Sequence, residues 1–184
     1  MLREGYAAVT SRKVAGEAKV TSQLVHYYFP TMEELFLALW RRFVKANLER
    51  QAQALSSPDA LNAIWDFTCH AAGTVLEMEF IALAHHRRAI RQEIARDGNR
   101  LRVMQIEALS RVMKTYGLQV DESFAEVLTV LLTSVSRNMI MEKDLGVSVG
   151  HARTFDYIKQ RIDDLGAVQR NYLSGRARHK HKNS

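Results

Sequence analysis

Residues that break helices are scarce in this sequence, and their scarcity constrains the fold more than any other feature. Only two prolines and nine glycines occur among the 184 residues. The long segments between them are rich in Ala, Leu, Glu, Arg and Met, which favour helices. Their apolar residues recur at helical spacing. The sequence therefore predicts an all-α protein.

Capping residues divide this helical pattern into separate elements. Thr10 and Thr21 are each placed to cap a short helix, and the second of these helices ends near Phe29. Thr31 has Glu34 three positions later, which is the spacing of a capping box at the start of a third helix. The predicted helices cover residues 11–18, 22–29, 31–54, 59–76, 79–86, 88–116, 121–142 and 152–172, with a local disturbance at residues 97–99.

The short helices come first and the long ones follow, which suggests two domains. Residues 1–45 are predicted to form a compact head with a helix-turn-helix, and residues 46–172 a helical bundle. Residues 173–184 are predicted to be a basic, disordered tail, because short basic C-termini are often solvated.

The net charge of +6 is unevenly distributed along the chain. Residues 1–30 carry +2 and residues 166–184 carry +5, which leaves −1 for the middle. A basic head and a basic tail around a near-neutral body suggest a nucleic-acid partner more than an acidic small molecule.

Two groups of residues suggest reactive or metal-binding chemistry but fail on spacing. His85 and His86 are adjacent, with His70 upstream, and neighbouring side chains on a helix diverge, so a chance pair is favoured over a metal site. Cys69 and His70 fail as a nucleophile and its base for the same reason, and a buried thiol is favoured. We therefore expect no metal, no cofactor and no enzymatic activity.

Cysteine usage and hydropathy bear on the compartment. The single Cys69 cannot form an internal disulfide, which fits a reducing cytoplasm. No apolar run is expected to reach the roughly 18 residues that span a membrane. The sequence thus predicts a cytoplasmic protein without a membrane partner.

The first two helices form a helix-turn-helix candidate, since only about three residues join them. In such a motif the second helix is held by its apolar side, here Val20, Val25 and Phe29, while its polar residues reach the major groove. Gln is suited to adenine and Arg to guanine. The predicted DNA contacts, to bases or to phosphates, are Thr10, Ser11, Arg12, Lys13, Thr21, Ser22, Gln23, His26 and Tyr28.

Three aromatic rings follow one another at the end of the second helix, and they cannot all be buried. Phe29 is predicted to anchor the helix together with Val25, and Tyr27 to shield that core. His26 and Tyr28 are predicted to point outward, the first near the groove and the second near the DNA backbone.

The segment Thr10–Leu35 resembles the DNA-binding signature of the TetR family of bacterial transcriptional regulators. The likeness rests on the Thr cap, the Val-Ala spacing, the tight turn and the Phe-Pro-Thr ending at Phe29. This resemblance implies an all-α homodimer that binds double-stranded DNA. It also implies that the larger domain binds a small effector and that the last two helices pair across a two-fold axis.

The sequence departs from the family pattern at several positions. Only Met1 to Val9 precede Thr10, so most of the family's first helix is absent. Lys19 occupies a turn position that is usually Gly, which predicts a strained or altered backbone there. Met32 and His26 stand where a basic residue and a tyrosine are common.

Apolar residues in the middle of the chain either pack the bundle or line a ligand cavity, because both uses draw on the same residue types. No buried charge is evident there, which favours an apolar or lipid-like effector over an anion held by arginines. The predicted effector-binding residues are Trp65, Phe67, Met78, Phe80, Leu83 and Met104.

The last two predicted helices carry apolar stripes, which suggests a four-helix interface between two copies. The predicted interface residues are Val127, Leu128, Leu131, Val135, Phe155, Ile158 and Ile162. Packing of both stripes inside one chain is the alternative.

These observations predict a dimeric, ligand-responsive transcriptional repressor that binds a pseudo-palindromic operator. A helical interaction protein that has lost DNA binding is the main alternative, favoured by the short N-terminus. A small helical enzyme is a weaker one.

Overall fold

The computed structural model describes residues 1–57, 59–69, 71–115, 117 and 121–180, and within these ranges the side chains of residues 71, 72, 122 and 168–180 are not described. All regular structure in this part of the chain is helical, which confirms the predicted all-α class. After a short 3-10 helix at Tyr6–Ala8, the helices are α1 (Ser11–Ala18), α2 (Ser22–Tyr28), α3 (Met32–Leu55), α4 (Ala60–Thr68), α5 (Ala71–His86), α6 (Arg88–Thr115), α7 (Glu122–Asp144) and α8 (His151–Lys180).

The chain forms two compact units that alternate along the sequence. Unit 1 consists of Met1–Glu49 and Ala71–Arg100, and unit 2 of Arg50–His70 and Leu101–Ser184. Helices α3 and α6 therefore contribute residues to both units. Unit 1 thus contains α5 in addition to the predicted head, whose boundary as a functional domain at residue 45 stays a prediction.

A tryptophan from α3 centres the core of unit 1. Trp40 is buried, and its ring lies 5.2 Å from that of Phe80 on α5, measured between centroids. Its indole Nε1 donates a hydrogen bond of 2.9 Å to Asp97 on α6. Beside it, Arg41 forms an ion pair of 2.8 Å with Glu93, and this hydrogen bond lowers the pKa of that carboxyl. Helices α3, α5 and α6 are thereby held together within unit 1.

The core of unit 2 contains the other tryptophan. Trp65 on α4 has no exposed surface and packs with Leu61, Leu109, Met113 and Ile162. Asn62, also on α4, lies at the edge of this core. Its side-chain amide donates a hydrogen bond of 2.9 Å to Asp163 of α8 and accepts one of 3.3 Å from Lys159. Apolar packing and these polar bonds together fix α4 against α8.

One predicted helix boundary is wrong. Residues 59–76 were expected to form one helix, but α4 ends at Thr68 and α5 begins at Ala71. The Thr68 hydroxyl and the Cys69 amide both donate to the carbonyl of Trp65, which closes α4. No proline or glycine marks this point, so the apolar periodicity continues across it. Because α5 then runs on to His86, the predicted break near residue 78 is also wrong.

Two long helices differ from expectation in their course. Helix α6 continues without interruption through Asp97, Gly98 and Asn99, where a disturbance was predicted. Helix α8 continues to Lys180, past the predicted end near residue 172, so the backbone of residues 173–180 is helical where a disordered tail was expected. The basic side chains of this segment, and residues 181–184, lie outside the described residues.

Within the described residues, the stretch Ser123–Asp144 of α7 is long and apolar enough to cross a membrane by length and composition alone. This differs from the expectation that no such stretch exists. Its 18-residue window reaches a mean hydropathy of 1.2. Glu126 and Arg137 lie within the helix, and its buried positions include Thr129 and Ser136, a composition more typical of a bundle helix than of a membrane span.

Candidate nucleic-acid interface

Helix α1 begins and ends as the sequence predicts. The Thr10 hydroxyl oxygen accepts a hydrogen bond of 3.3 Å from the amide of Lys13, which makes Thr10 the N-cap. At the other end Lys19 adopts the left-handed conformation with φ 54° and ψ 41°. This confirms the altered backbone expected where glycine is common, since a side chain in this region costs energy. The strained turn sets the path of the chain into α2.

Helix α2 is held by a small apolar contact. The Thr21 hydroxyl oxygen accepts a hydrogen bond of 3.2 Å from the amide of Leu24. Val25 is buried. Phe29 is half-buried at the end of the helix. Val20, which was predicted to belong to the buried stripe, is 39% exposed, so the helix is anchored mainly by Val25 and Phe29.

The outer face of α2 carries the polar and aromatic groups. Gln23, His26 and Tyr28 are exposed, as expected for side chains that contact DNA. Tyr27 was predicted to shield the core, but it is 78% exposed, more than Tyr28 at 67%, and the two rings contact each other edge to face. The prediction for Tyr27 is therefore wrong. Tyr27 lies four residues after Gln23 and so shares its face, a spacing that points to this residue from the sequence alone.

Cations flank this face on the first helix. Arg12 is exposed and makes no ion pair with any described residue. Lys13 pairs with Glu4 and lowers the pKa of that carboxyl, and Arg3 pairs with Glu17 at 3.3 Å. Exposed pairs of this kind contribute little stability, so a phosphate can replace the carboxylate on Lys13 at small cost. Thr10 and Thr21 accept from backbone amides and keep their hydroxyl protons to donate.

Comparison with known proteins agrees with this geometry. Residues 1–39 match the family model described as bacterial regulatory proteins, tetR family. The fold is similar to that of a TetR transcription regulator from Haloarcula marismortui ATCC 43049, at 18% identity and a TM-score of 0.68, with 89% of this chain and 88% of that chain covered. It is also similar to a transcriptional regulator from Rhodococcus sp. Rha1, at 18% identity and a TM-score of 0.64, with 92% and 90% covered. No curated protein sequence matches the chain.

The chain has the TetR fold, with the family signature in residues 1–39. The resemblance predicted from the sequence is thereby confirmed. It assigns α1 and α2 to the family's helix-turn-helix and leaves the role of each side chain to the geometry described above.

The segment before α1 contains a short 3-10 helix. Residues 6–8 form only a single 3-10 turn. The amide of Tyr6 donates a hydrogen bond of 2.7 Å to Glu79 of α5, which ties this segment to the core of unit 1. Met32, where the family often has a basic residue, is half-buried at the start of α3.

The predicted effector residues are not brought together. Phe80 and Leu83 are buried in unit 1, whereas Trp65 is buried in the core of unit 2. Met78 also belongs to unit 1, and Met104 is 40% exposed. Phe67 lines a cavity among the described residues of unit 2. These side chains are therefore mostly packing residues, because the residue types of a core and of a cavity wall are the same.

Unit 2 of this TetR-type chain contains a cavity bounded by α3, α4, α6 and α7. The volume of this cavity is about 30 Å³. Apolar side chains form most of the wall, and glutamines and threonines add polar groups. The lining residues are Gln51, Ala54, Leu55, Ile64, Phe67, Thr68, Gln105, Ala108, Leu109, Thr129, Leu132 and Thr133.

The predicted interface residues divide into two sets. Ile162 belongs to the core of unit 2, and Leu128, Phe155 and Ile158 pack against it, so packing inside one chain accounts for these four. Val135 is half-buried. By contrast, an apolar face of α7 stays exposed, with Val127 at 56% and Leu131 at 55%. We call this the α7 face, and its members are Phe124, Val127, Val130 and Leu131.

No group of three or more His, Cys, Asp or Glu side chains suited to a metal occurs among the described residues. His85 and His86 are both exposed, and His70 lies outside the description. Cys69 is half-buried against the core of unit 2, and burial raises the pKa of its thiol. A thiol held in its neutral form is a poor nucleophile.

Proposed function

We propose that this protein is a cytoplasmic transcriptional repressor that binds double-stranded DNA as a homodimer and responds to a small apolar effector. The observation that carries the proposal is the outer face of α2, where Gln23, Tyr27 and Tyr28 are exposed beside a helix cap at Thr21. These groups match what a major groove and its phosphates accept.

In this proposal, Gln23 reads a base edge, Tyr27 and Tyr28 contact the DNA, and Arg12 supplies a further base or phosphate contact. Thr10 and Thr21 donate their hydroxyl protons to phosphates, and Lys13 exchanges Glu4 for a phosphate. Ser11, Ser22 and His26 complete the contact surface. The exposure of Gln23, Tyr27 and Tyr28 on one short helix supports this assignment.

A second copy of the chain covers the α7 face. Large apolar side chains that are exposed together favour association, because burial removes them from water. A two-fold axis would then place two recognition helices in successive major grooves about 34–36 Å apart, on a pseudo-palindromic operator.

The effector occupies the cavity of unit 2 and favours one arrangement of the dimer. It can shift the equilibrium only by the difference between its affinities for the two arrangements. Repression is then relieved when the effector-bound dimer no longer matches the spacing of the two grooves.

The test uses a duplex that the wild-type protein selects from a random pool. Gln23→Ala should weaken binding to this duplex by about 5-fold to 100-fold, because one base contact is lost, and should weaken binding to random duplex by less than about 2-fold. Gln53→Ala, an exposed glutamine on α3, is the matched control. Equal loss on both duplexes would reject Gln23 as a base reader.

The dependence of binding on salt separates a repressor from an interaction protein that has lost DNA binding. Phosphate contacts release counterions, so affinity for duplex should fall steeply as salt rises. If the wild-type protein fails to bind duplex DNA at low salt, the interaction protein is the correct reading.

A further inference from the structure

One side chain in the wall of the unit 2 cavity has an unmet hydrogen-bond requirement. Gln51 is only 6% exposed, and its Oε1 has no hydrogen-bond partner among the described residues. The same side chain lines the cavity. Buried amide oxygens are nearly always hydrogen-bonded, because a group withdrawn from water without a partner is costly. The cavity is therefore where a donor for Gln51 is expected.

The threonines of the wall are turned so that they cannot supply this donor. The Thr129 hydroxyl donates a hydrogen bond of 2.7 Å to the carbonyl of Ala125. The Thr68 hydroxyl donates one of 2.8 Å to the carbonyl of Trp65. Thr133 likewise donates 2.8 Å to the carbonyl of Thr129. A hydroxyl has one proton. With that proton bound to a helix carbonyl, each threonine offers only acceptor lone pairs to the cavity.

Charge also limits what the cavity can hold. None of its twelve lining residues, all within the described part of the chain, is charged. Nearby, Arg102 donates a hydrogen bond of 2.7 Å to the Thr133 hydroxyl and one of 3.3 Å to the carbonyl of Thr129. That guanidinium is therefore already hydrogen-bonded to two residues of the wall. An ionised ligand would lose its hydration without gaining a partner of opposite charge.

We propose that the cavity binds a neutral, largely apolar molecule that donates an O–H or N–H hydrogen bond to Gln51 Oε1. This inference rests on the effector role of unit 2 in the proposed function and defines the chemical class of that effector. An uncharged wall selects against fatty acids and other carboxylates. The unbonded oxygen of Gln51 selects against hydrocarbons that lack a donor.

The size of the cavity adds a condition. A cavity of about 30 Å³ has room for about two water molecules. A larger ligand must therefore displace side chains as it enters. Gln51 lies on α3, the helix that starts just after the recognition helix, so the bonding group sits on an element that also belongs to unit 1.

The experiment compares matched probes that differ in one donor. Phenol carries an O–H donor, toluene has the same shape without it, and anisole offers only an acceptor. Dissociation constants are measured by titration calorimetry on the full-length protein, with Gln51→Met to remove the amide at similar length. Gln53→Met is the control, since Gln53 is exposed on the same helix.

The wild-type protein should bind phenol, and Gln51→Met should lower its preference for phenol over toluene by about 3-fold to 10-fold, which corresponds to one neutral hydrogen bond. Gln53→Met should leave the ratio unchanged. An unchanged ratio in Gln51→Met, a wild-type preference for anisole, or binding of none of the probes would overturn the inference.

A second measurement keeps the test valid if Gln51→Met does not fold. In a crystal of the wild-type protein soaked with phenol, the phenol oxygen should lie within hydrogen-bond distance of Gln51 Oε1, and any other position contradicts the inference. Binding to the selected duplex is measured in parallel. If the wild-type protein binds the selected duplex but shows no preference for phenol over toluene, the ligand class alone is rejected. If the wild-type protein does not bind DNA, the proposed repressor is rejected.

Discussion

Helices α2 and α7 both expose large side chains, but the chemistry that they expose differs. On α2 the most exposed large side chains are Tyr27 at 78% and Tyr28 at 67%, each with a hydroxyl, and Leu24 is exposed at 41%. On α7 they are Leu131 at 55%, Val127 at 56% and Phe124 at 47%, none of which has a hydrogen-bonding group. Exposure alone therefore does not identify the partner of a surface.

The difference indicates what each helix can bind. A face with hydroxyl and amide groups can exchange its bonds with water for bonds to bases and phosphates. An apolar face makes no such exchange and gains free energy only when another apolar surface removes it from water. This contrast supports the proposal that the outer face of α2 contacts DNA and that the α7 face contacts a second copy of the chain.

The largest effect is expected when a charge is placed on the α7 face. Leu131→Arg should raise the dimer dissociation constant by about 100-fold or more, because the two-fold axis brings the buried charge into the interface twice. Sedimentation equilibrium measures this change. Affinity for the selected duplex should fall with it, since a monomer loses the advantage of holding two half-sites.

Asp144→Arg is the matched control for this substitution. Asp144 is exposed at the last position of the same helix, more than three turns beyond Leu131. It should leave the dimer intact. If the Leu131→Arg protein stays dimeric at the same concentration, the α7 face is not the dimer interface. The proposed difference in partner between α2 and α7 would then be wrong.

A smaller effect is expected from the α2 face. Tyr28→Phe removes one hydroxyl, so binding should weaken by about 2-fold to 10-fold through the loss of one hydrogen bond. The loss should be equal on selected and random duplex, because phosphates carry no sequence information. Filter binding on both duplexes measures it. A changed sequence preference in Tyr28→Phe would place this hydroxyl against a base instead.

The turn that orients α2 gives the next effect in size. Lys19→Gly should raise the free energy of unfolding by about 0.5–1 kcal/mol, because glycine adopts φ 54° without a side-chain penalty, although it loses more entropy on folding. Urea denaturation measures the change. Ala18→Gly, one residue earlier and helical, should instead lower the free energy of unfolding. A change of the same sign in both variants would contradict the strain at Lys19.

The smallest effect concerns the end of α7. Glu142 accepts a hydrogen bond of 2.7 Å from His151, and this bond, helped by Asn138, lowers the pKa of the Glu142 carboxyl. Its contribution to stability is therefore present above the ordinary glutamate pKa and is lost as pH falls through the lowered value.

Denaturation of Glu142→Gln across pH 3–6 measures this contribution. The variant should show a shallower loss of stability on acidification than the wild type. Asp144→Asn, an exposed carboxylate two residues later, should follow the wild-type curve. Identical slopes for Glu142→Gln and wild type would exclude the pairing with His151 as a source of the pH dependence.

Local signals in the sequence were enough to predict most of the helices. The caps at Thr10, Thr21 and Thr31 each bond a backbone amide in the structure, so they mark these helix starts. The end of α4 at Thr68 could not be predicted, because it is made by side-chain and backbone bonds within an unbroken apolar pattern. Such a break leaves no proline or glycine in the sequence.

The candidate sites were predicted unevenly for a related reason. The exposure of Gln23 could be predicted from its spacing relative to Val25, since residues two apart on a helix point to opposite sides. The cavity could not be assigned, because it arises where four distant segments fail to fill space. Phe67 lines it, whereas Trp65, two residues earlier, is a core residue. Residue type does not distinguish the two.

The two tryptophans of the chain have a practical consequence as optical reporters. Trp40 is buried in unit 1 with its indole nitrogen bonded to Asp97. Trp65 is buried in unit 2, and no described residue is hydrogen-bonded to its indole nitrogen. The sequence contains no other tryptophan. Emission from a Trp65→Phe protein thus records unit 1 alone, and emission from a Trp40→Phe protein records unit 2. Together these two spectra give the order in which the units lose their structure.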